Sequence, residues 1–185
     1  AWSSNWVPNS GRSYTHSTHE IAYAEELNFA LTHYLAGSAD DAYALFRASL
    51  CGIFNGPTPG GLACHSTKDG RQRANDEFSD AISMWGRTLT EGIFGIRPRL
   101  QDGILHVTPQ FPSDWTGASI RTPLLSYTWK RDGNAVTITW DSIQNLPLLF
   151  RVLLPAKSID KVESDKADIS PAPPIARDGL TWVSI

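Results

Sequence analysis

Three carboxylates stand where proton transfer could be done: Glu20, Glu77 and Asp80. Two carboxyl groups in unlike surroundings can divide such work, one held protonated as acid and the other ionised as base or nucleophile. Glu20 follows His16 and His19 at the point where a polar run gives way to an apolar-periodic one. The same string, Ser17-Thr18-His19-Glu20, also spells a capping box in which Glu20 bonds the Ser17 backbone. The two roles do not exclude one another. At helical spacing Glu77 and Asp80 share a face with Met84, Arg87 and Glu91. A helix dipole favours acids in a first turn, so Asp76 and Glu77 have a structural reason to be there. Asp80, one turn further in, gains less and is the stronger functional candidate. Glu91 falls near a helix end that disfavours it, so a cation such as Arg87 or Arg97 is expected beside it.

Other chemistries fit the residues less well. His16-x-x-His19-Glu20 is not the zinc-protease order, and no third ligand stands at a telling spacing, so no metal site is predicted. His16 and His19 are read instead as hydrogen-bonding to substrate or to loop backbone. Trp2, Trp6 and Tyr14 could stack on pyranose faces or fill the gap between loop and helices. Thr58-Pro59-Gly60-Gly61 lacks the Lys-Ser/Thr of a phosphate loop, and no Gly-x-Ser-x-Gly elbow or Cys/His pairing suggests acyl transfer. No cofactor is expected.

The elements that must position these groups change character near Arg99. Residues 20–36 carry Ile21, Ala24, Leu27, Leu31, Tyr34 and Leu35 at helical spacing, and Gly37 is a natural stop. Ser38 offers the N-cap of a second helix, with Asp40 and Asp41 in its first turn and Ala42, Leu45, Phe46 and Leu50 on one face. Residues 55–70 are loop-forming. A third helix is expected from about Asp76, with Phe78, Ile82, Trp85 and Leu89 as its apolar stripe, Gly92 and Gly95 at its end and Pro98 beyond. After Arg99 the period becomes two. Leu125, Tyr127 and Trp129 alternate with polar residues, Asp132-Gly133 turns the chain, and Val136, Ile138 and Trp140 return. Trp129 and Trp140 are expected to face each other across that hairpin. Short runs at 104–107, 148–154 and 180–184 complete a small antiparallel set, and 164–179, with its prolines, reads as an edge loop. Helices and strands in separate blocks mean an α+β chain or two domains.

Composition narrows the classes of function. The 185 residues carry 16 Lys+Arg against 19 Asp+Glu, net −3, with no basic block, so a clustered-charge nucleic-acid footprint is absent. The apolar run 146–154 is broken by Pro147 and Arg151 and cannot span a bilayer. No signal peptide is visible, while a start at Ala1-Trp2 suggests a mature or trimmed end; a periplasmic or secreted location is slightly favoured. Cys51 and Cys64 could form a disulfide or stay reduced. Seven Trp, five Tyr and seven Phe are core material, and also what sugar-handling proteins use as flat platforms.

A longer string adds a resemblance. Thr90-Glu91-Gly92-Ile93-Phe94-Gly95-Ile96-Arg97-Pro98, then Gly103-Ile104-Leu105-His106-Val107-Thr108-Pro109, then Phe111-Pro112-Ser113-Asp114-Trp115 resembles the junction between the last helix of an (α/α)6 barrel and the C-terminal β-domain of six-hairpin glycosidases. Cellobiose-phosphorylase-type enzymes carry a similar junction. Upstream, Trp2-Ser3-Ser4-Asn5-Trp6-Val7-Pro8, Glu20, Ala36-Gly37, Thr58-Pro59-Gly60-Gly61 and Asp76-Glu77-Phe78-Ser79-Asp80 resemble a large bacterial glycosidase-like family. The resemblance covers roughly residues 2–130. It implies helical hairpins from the end of an (α/α)6 toroid over residues 1–99, then a small antiparallel β-sandwich-like domain over 100–185. A complete barrel has far more helices than this sequence supplies, so another polypeptide is the expected source of the rest.

Two functions follow. The first is the C-terminal portion of a glycoside hydrolase, cutting glycosidic bonds by carboxylate acid/base catalysis with Glu20, Asp80 and Glu77 as candidates. The substrate would lie against Trp2, Trp6, Tyr14, His16 and His19. The second is a non-catalytic carbohydrate-binding or scaffolding module of a larger assembly. Carboxylates lining a cleft would favour the first, and exposed coplanar tryptophans the second. A phosphorylase is a weaker variant of the first, because no evident Arg/His/Lys phosphate cluster accompanies the string.

Overall fold

The computed structural model describes residues 21–54, 65–66, 72–73, 80–99, 101, 103–142, 148–154, 172–177 and 180–184. Helices and mostly antiparallel strands make it an α+β chain, with two compact units that divide between Ile93 and Phe94.

The first unit is helical. Strand β1 (Ile21–Ala22) leads into α1 (Tyr23–Ala36), and α2 (Ala39–Phe54) follows. Gly37, at φ +88°, closes α1 with a Schellman motif: Ser38 N–H reaches His33 O at 3.0 Å and Gly37 N–H reaches Tyr34 O at 3.1 Å. Ala42 N–H then bonds Ser38 O at 3.0 Å, so Ser38 is the N-cap that the sequence predicts. Leu27, Ala30, Leu31 and Tyr34 of α1 are buried, as are Ala42, Phe46 and Ile53 of α2. The helix starts later than its periodicity suggests. Ile21 and Ala22 are extended and pair with Ser66 and His65 of β2 (His65–Ser66), which pairs in turn with β3 (Gln72–Arg73). Long-range pairing there overrides a local helical pattern.

Helix α3 (Asp80–Arg87) runs on into a π-helical turn at Thr88–Ile93. Its stripe is a second correction. Ile82, Trp85 and Leu89 are only half-buried, whereas Ala81, Thr88 and Gly92 are covered. Small residues face α1 because the helices approach closely. Thr88 Oγ1 donates to Leu27 O at 3.0 Å, and a Cβ on Gly92 would stand 2.6 Å from the Tyr34 ring. Phe78 lies outside the described residues.

The second unit holds two sheets. The larger has the order β10-β11-β9-β5-β4, from β4 (Ile96–Arg99), β5 (Ile104–Val107), β9 (Leu148–Leu154), β10 (Ala172–Arg177) and β11 (Leu180–Ser184). The smaller is a meander of β6 (Gly117–Arg121), β7 (Leu125–Asp132) and β8 (Ala135–Ser142). Ile96, Leu105 and Val107 of the first and Leu125, Tyr127 and Trp129 of the second are buried in one cluster. The strand period thus begins at Ile96, ahead of Arg99. Pro98, read from sequence as a helix exit, sits in an edge strand, where a missing N–H breaks no ladder.

Three further expectations change. Strand β5 pairs with β9 in parallel, so the set is not wholly antiparallel. Residues 172–177, read as part of a loop, form edge strand β10, which tolerates Pro173 and Pro174 for the same reason as β4. Trp129 lies opposite Ile138, and Trp140 opposite Tyr127; the two tryptophans share a face but are diagonal neighbours.

Candidate functional site

The junction string folds as one packed piece. Gly95, at φ +64°, lies so near the Thr108 backbone that a Cβ would overlap its carbonyl, and Thr108 N–H bonds Gly95 O at 2.9 Å. Phe94 meets Phe111 edge-on at 5.4 Å, and Phe111 stacks on Trp115 at 5.8 Å and tilts against Trp129 at 4.8 Å. The Tyr127 hydroxyl donates to Phe94 O at 2.6 Å. Arg131 lies over the Trp129 ring, 5.8 Å from its centroid, and donates to the Ser113 carbonyl. These aromatics are used for packing: Trp129 is buried, and Trp115 and Trp140 are half-buried.

Among the candidate site residues, Trp2, Trp6, Tyr14, His16, His19, Glu20 and Glu77 lie outside the described residues, as does Cys64. Asp80 is described. It is the first residue of α3 and is exposed. On the same face Met84 is half-buried, and Arg87 Nε meets Glu91 Oε1 at 2.9 Å, the partner that sequence reasoning expects for Glu91. That pair is on the surface, with side chains 53% and 33% exposed, and its hydrogen bond raises the Arg87 pKa further above its ordinary value. Its role is to neutralise an acid at the helix end.

Helix direction is the feature that bears most on a site. Leu27 meets Thr88, and Tyr34, later in α1, meets Gly92, later in the π turn. The contacts run in the same order along both segments, so α1 and α3 lie side by side and parallel. At about 1.5 Å per residue, Asp80 stands about 12 Å ahead of Thr88 and Tyr23 about 6 Å ahead of Leu27. Both helices therefore begin at one end of the unit, with α2 returning antiparallel between their chain positions. Helix α1 begins at Tyr23, and the capping-box string at 17–20 lies outside the described residues.

Sequence reasoning missed one carboxylate. Glu26 is 3% exposed, on the same side of α1 as Tyr23, Leu27 and Ala30. Its signal was positional: spacings of three and four place Glu26 on the apolar stripe, where a glutamate is unusual. The buried polar atoms Tyr34 Oη, Trp85 Nε1 and Gln110 Oε1 have no hydrogen-bond partner among the described residues. No group of three or more His, Cys, Asp or Glu among the described residues could hold a metal ion. No protein-family model matches this chain, and no curated protein matches it.

Proposed function

We propose that this chain is the C-terminal part of a six-hairpin, (α/α)6-barrel glycosidase-like enzyme that cleaves glycosidic bonds by carboxylate acid/base catalysis. The observation that carries this reading is the parallel pair α1 and α3 with α2 antiparallel. In a barrel of helical hairpins every inner helix runs the same way, so loops entering them gather at one mouth. Asp80 opens α3 at that end, and Glu20 precedes α1 by three positions in the chain. Asp80 and Glu20 are the pair to test, with Glu77 as the alternate. Trp2, Trp6, Tyr14, His16 and His19 would hold the sugar, and a further polypeptide would complete the barrel. The strand unit would be the sandwich that follows it. The binding-module reading is less favoured, because Trp129 and its aromatic neighbours are packed into the core.

The test is turnover of a panel of aryl glycosides by the completed assembly. Asp80→Asn changes a charge at constant shape on an exposed residue, so folding should hold while activity falls by ~10²–10⁴-fold. Glu20→Gln should fall likewise. Full activity in both variants on every substrate the parent cleaves would remove these carboxylates from the mechanism.

A further inference from the structure

The edge of a sheet presents unpaired N–H and C=O groups, which invite another strand unless something blunts them. In the second unit the outermost strands are β4 and β10 of the larger sheet and β6 and β8 of the smaller. Three of them carry such a device. Strand β4 is four residues long and contains Pro98. Strand β10 contains Pro173 and Pro174, and its register shifts between Ala172 and Ile175. Strand β6 is five residues long, opens on Gly117 and ends on Arg121. Strand β8 has none of these. It runs for eight residues, Ala135–Ser142, in unbroken register with β7. It holds no proline, glycine, lysine or arginine, and Asp141 is its one charge. Among the described residues nothing pairs with its outer edge. Val136, Ile138 and Trp140 pack against the core yet stay half-buried, while Thr137 and Thr139 are exposed.

We propose that this edge pairs with the same edge of a second copy, antiparallel about a twofold axis, joining two three-stranded sheets into one continuous sheet. The strand is complementary to itself. For the apolar face to continue across the joint, even-numbered positions must meet even-numbered ones. A twofold through Ile138 does this: Ile138 meets its twin, Val136 meets Trp140, Thr137 meets Thr139, and Ala135 meets Asp141. Aromatic on β-branched and threonine on threonine are favourable cross-strand pairs. The two Asp141 carboxylates fall at opposite ends of the joint, about 20 Å apart, where physiological salt screens them. Pairing β8 with β6 of another copy would use at most five residues, and would leave fresh edges that propagate without closing. The twofold closes, and it uses nearly the whole strand. None of this rests on the glycosidase reading.

Hydrogen–deuterium exchange of the full chain tests it, read by mass spectrometry at two concentrations roughly hundredfold apart, because a contact between copies protects by mass action. The peptide spanning 133–142 should exchange about tenfold more slowly at the higher concentration, while 117–121 should not change. Thr137→Lys/Thr139→Lys sets like charges opposite each other at exposed positions, and should weaken the pairing roughly tenfold and remove most of that protection. Ser119→Lys, on β6, should behave as the parent does. Protection of 133–142 that is absent, or equal at both concentrations, would overturn the proposal; in the second case the edge is covered within one chain. So would full protection in the double variant once circular dichroism shows it folded, or protection confined to 117–121. Peptides of the helical unit are read separately, so association through that unit is not mistaken for pairing of β8.

Discussion

At the scale of single residues the two most buried phenols have different fates. Tyr127 donates its hydroxyl to Phe94 O at 2.6 Å, whereas Tyr34 Oη has no hydrogen-bond partner among the described residues. Replacing Tyr127 with Phe leaves a carbonyl short of its donor and should cost about 1–3 kcal/mol. Tyr34→Phe removes an unsatisfied hydroxyl and should be neutral or slightly stabilising. Burial pushes the Tyr34 pKa well above its ordinary range, with Tyr43 and Asp40 adding to the effect, and burial does the same for Tyr127. Unfolded tyrosines lose their protons near pH 10. Below that value both states keep the proton, and the contribution to stability is whole. Above it the unfolded chain binds fewer protons than the fold, so stability declines as pH rises toward the folded pKa. Urea melts near pH 7 and about pH 10.5 should show this alkaline loss, and each Tyr→Phe variant should reduce it; an unchanged slope in both variants would contradict the assignment. Of the candidate site residues, the sequence made legible only those whose place in an element is local. Asp80 could be placed because a helical face announces itself through spacing. Glu26 was hidden because its spacing is that of a core position, and only burial distinguishes it from a surface acid.

At the scale of elements, two glycines of one helix make opposite demands. A Cβ on Gly92 would press on the Tyr34 ring at 2.6 Å, while one on Gly86 would meet nothing within 4 Å. Gly92→Ala should therefore destabilise by about 1–3 kcal/mol through overpacking. Gly86→Ala should stabilise by up to about 1 kcal/mol, by reducing the freedom of the unfolded chain. Thermal melts of the two variants should move in opposite directions, and a loss at Gly86 as large as at Gly92 would deny the close approach of α1 and α3. What sequence showed of the fold follows the range of the forces involved. The α1–α2 hairpin was legible because Gly37 and Ser38 act on their own neighbours. The β7–β8 hairpin was legible because alternation and a tight turn are equally local; the turn itself is Gly133-Asn134, one residue beyond the expected pair. Parallel pairing of β5 with β9 joins segments separated by the whole meander, and no local pattern encodes it. The same holds for Ile21 and Ala22, whose apolar spacing continues the helix while pairing with β2 draws them out of it.

At the scale of the whole molecule, the question is what the helical unit leaves uncovered. Phe29, Leu35 and Phe54 are 37%, 55% and 47% exposed, and Ile82, Trp85 and Leu89 are half-buried on α3. Single exposed apolar residues are ordinary; three large ones spread along α1 and α2, with half-buried ones on α3, would fit a barrel fragment that packs against further hairpins. Covering the exposed part of each such side chain is worth on the order of 1 kcal/mol, enough together to drive association at moderate concentration. The isolated chain should therefore sediment as a concentration-dependent mixture, or as a stable complex when the remaining barrel helices are supplied. A Phe29→Ser, Leu35→Gln, Phe54→Ser variant should shift toward monomer. Its stability should remain close to the parent's, because exposed substitutions away from caps and packing usually cost no more than about 0.5 kcal/mol each. If the parent chain sediments as a monomer at every concentration and ignores added barrel helices, these side chains are ordinary surface residues. The barrel reading then loses its physical motive, while the carboxylate assignment would still stand or fall on turnover.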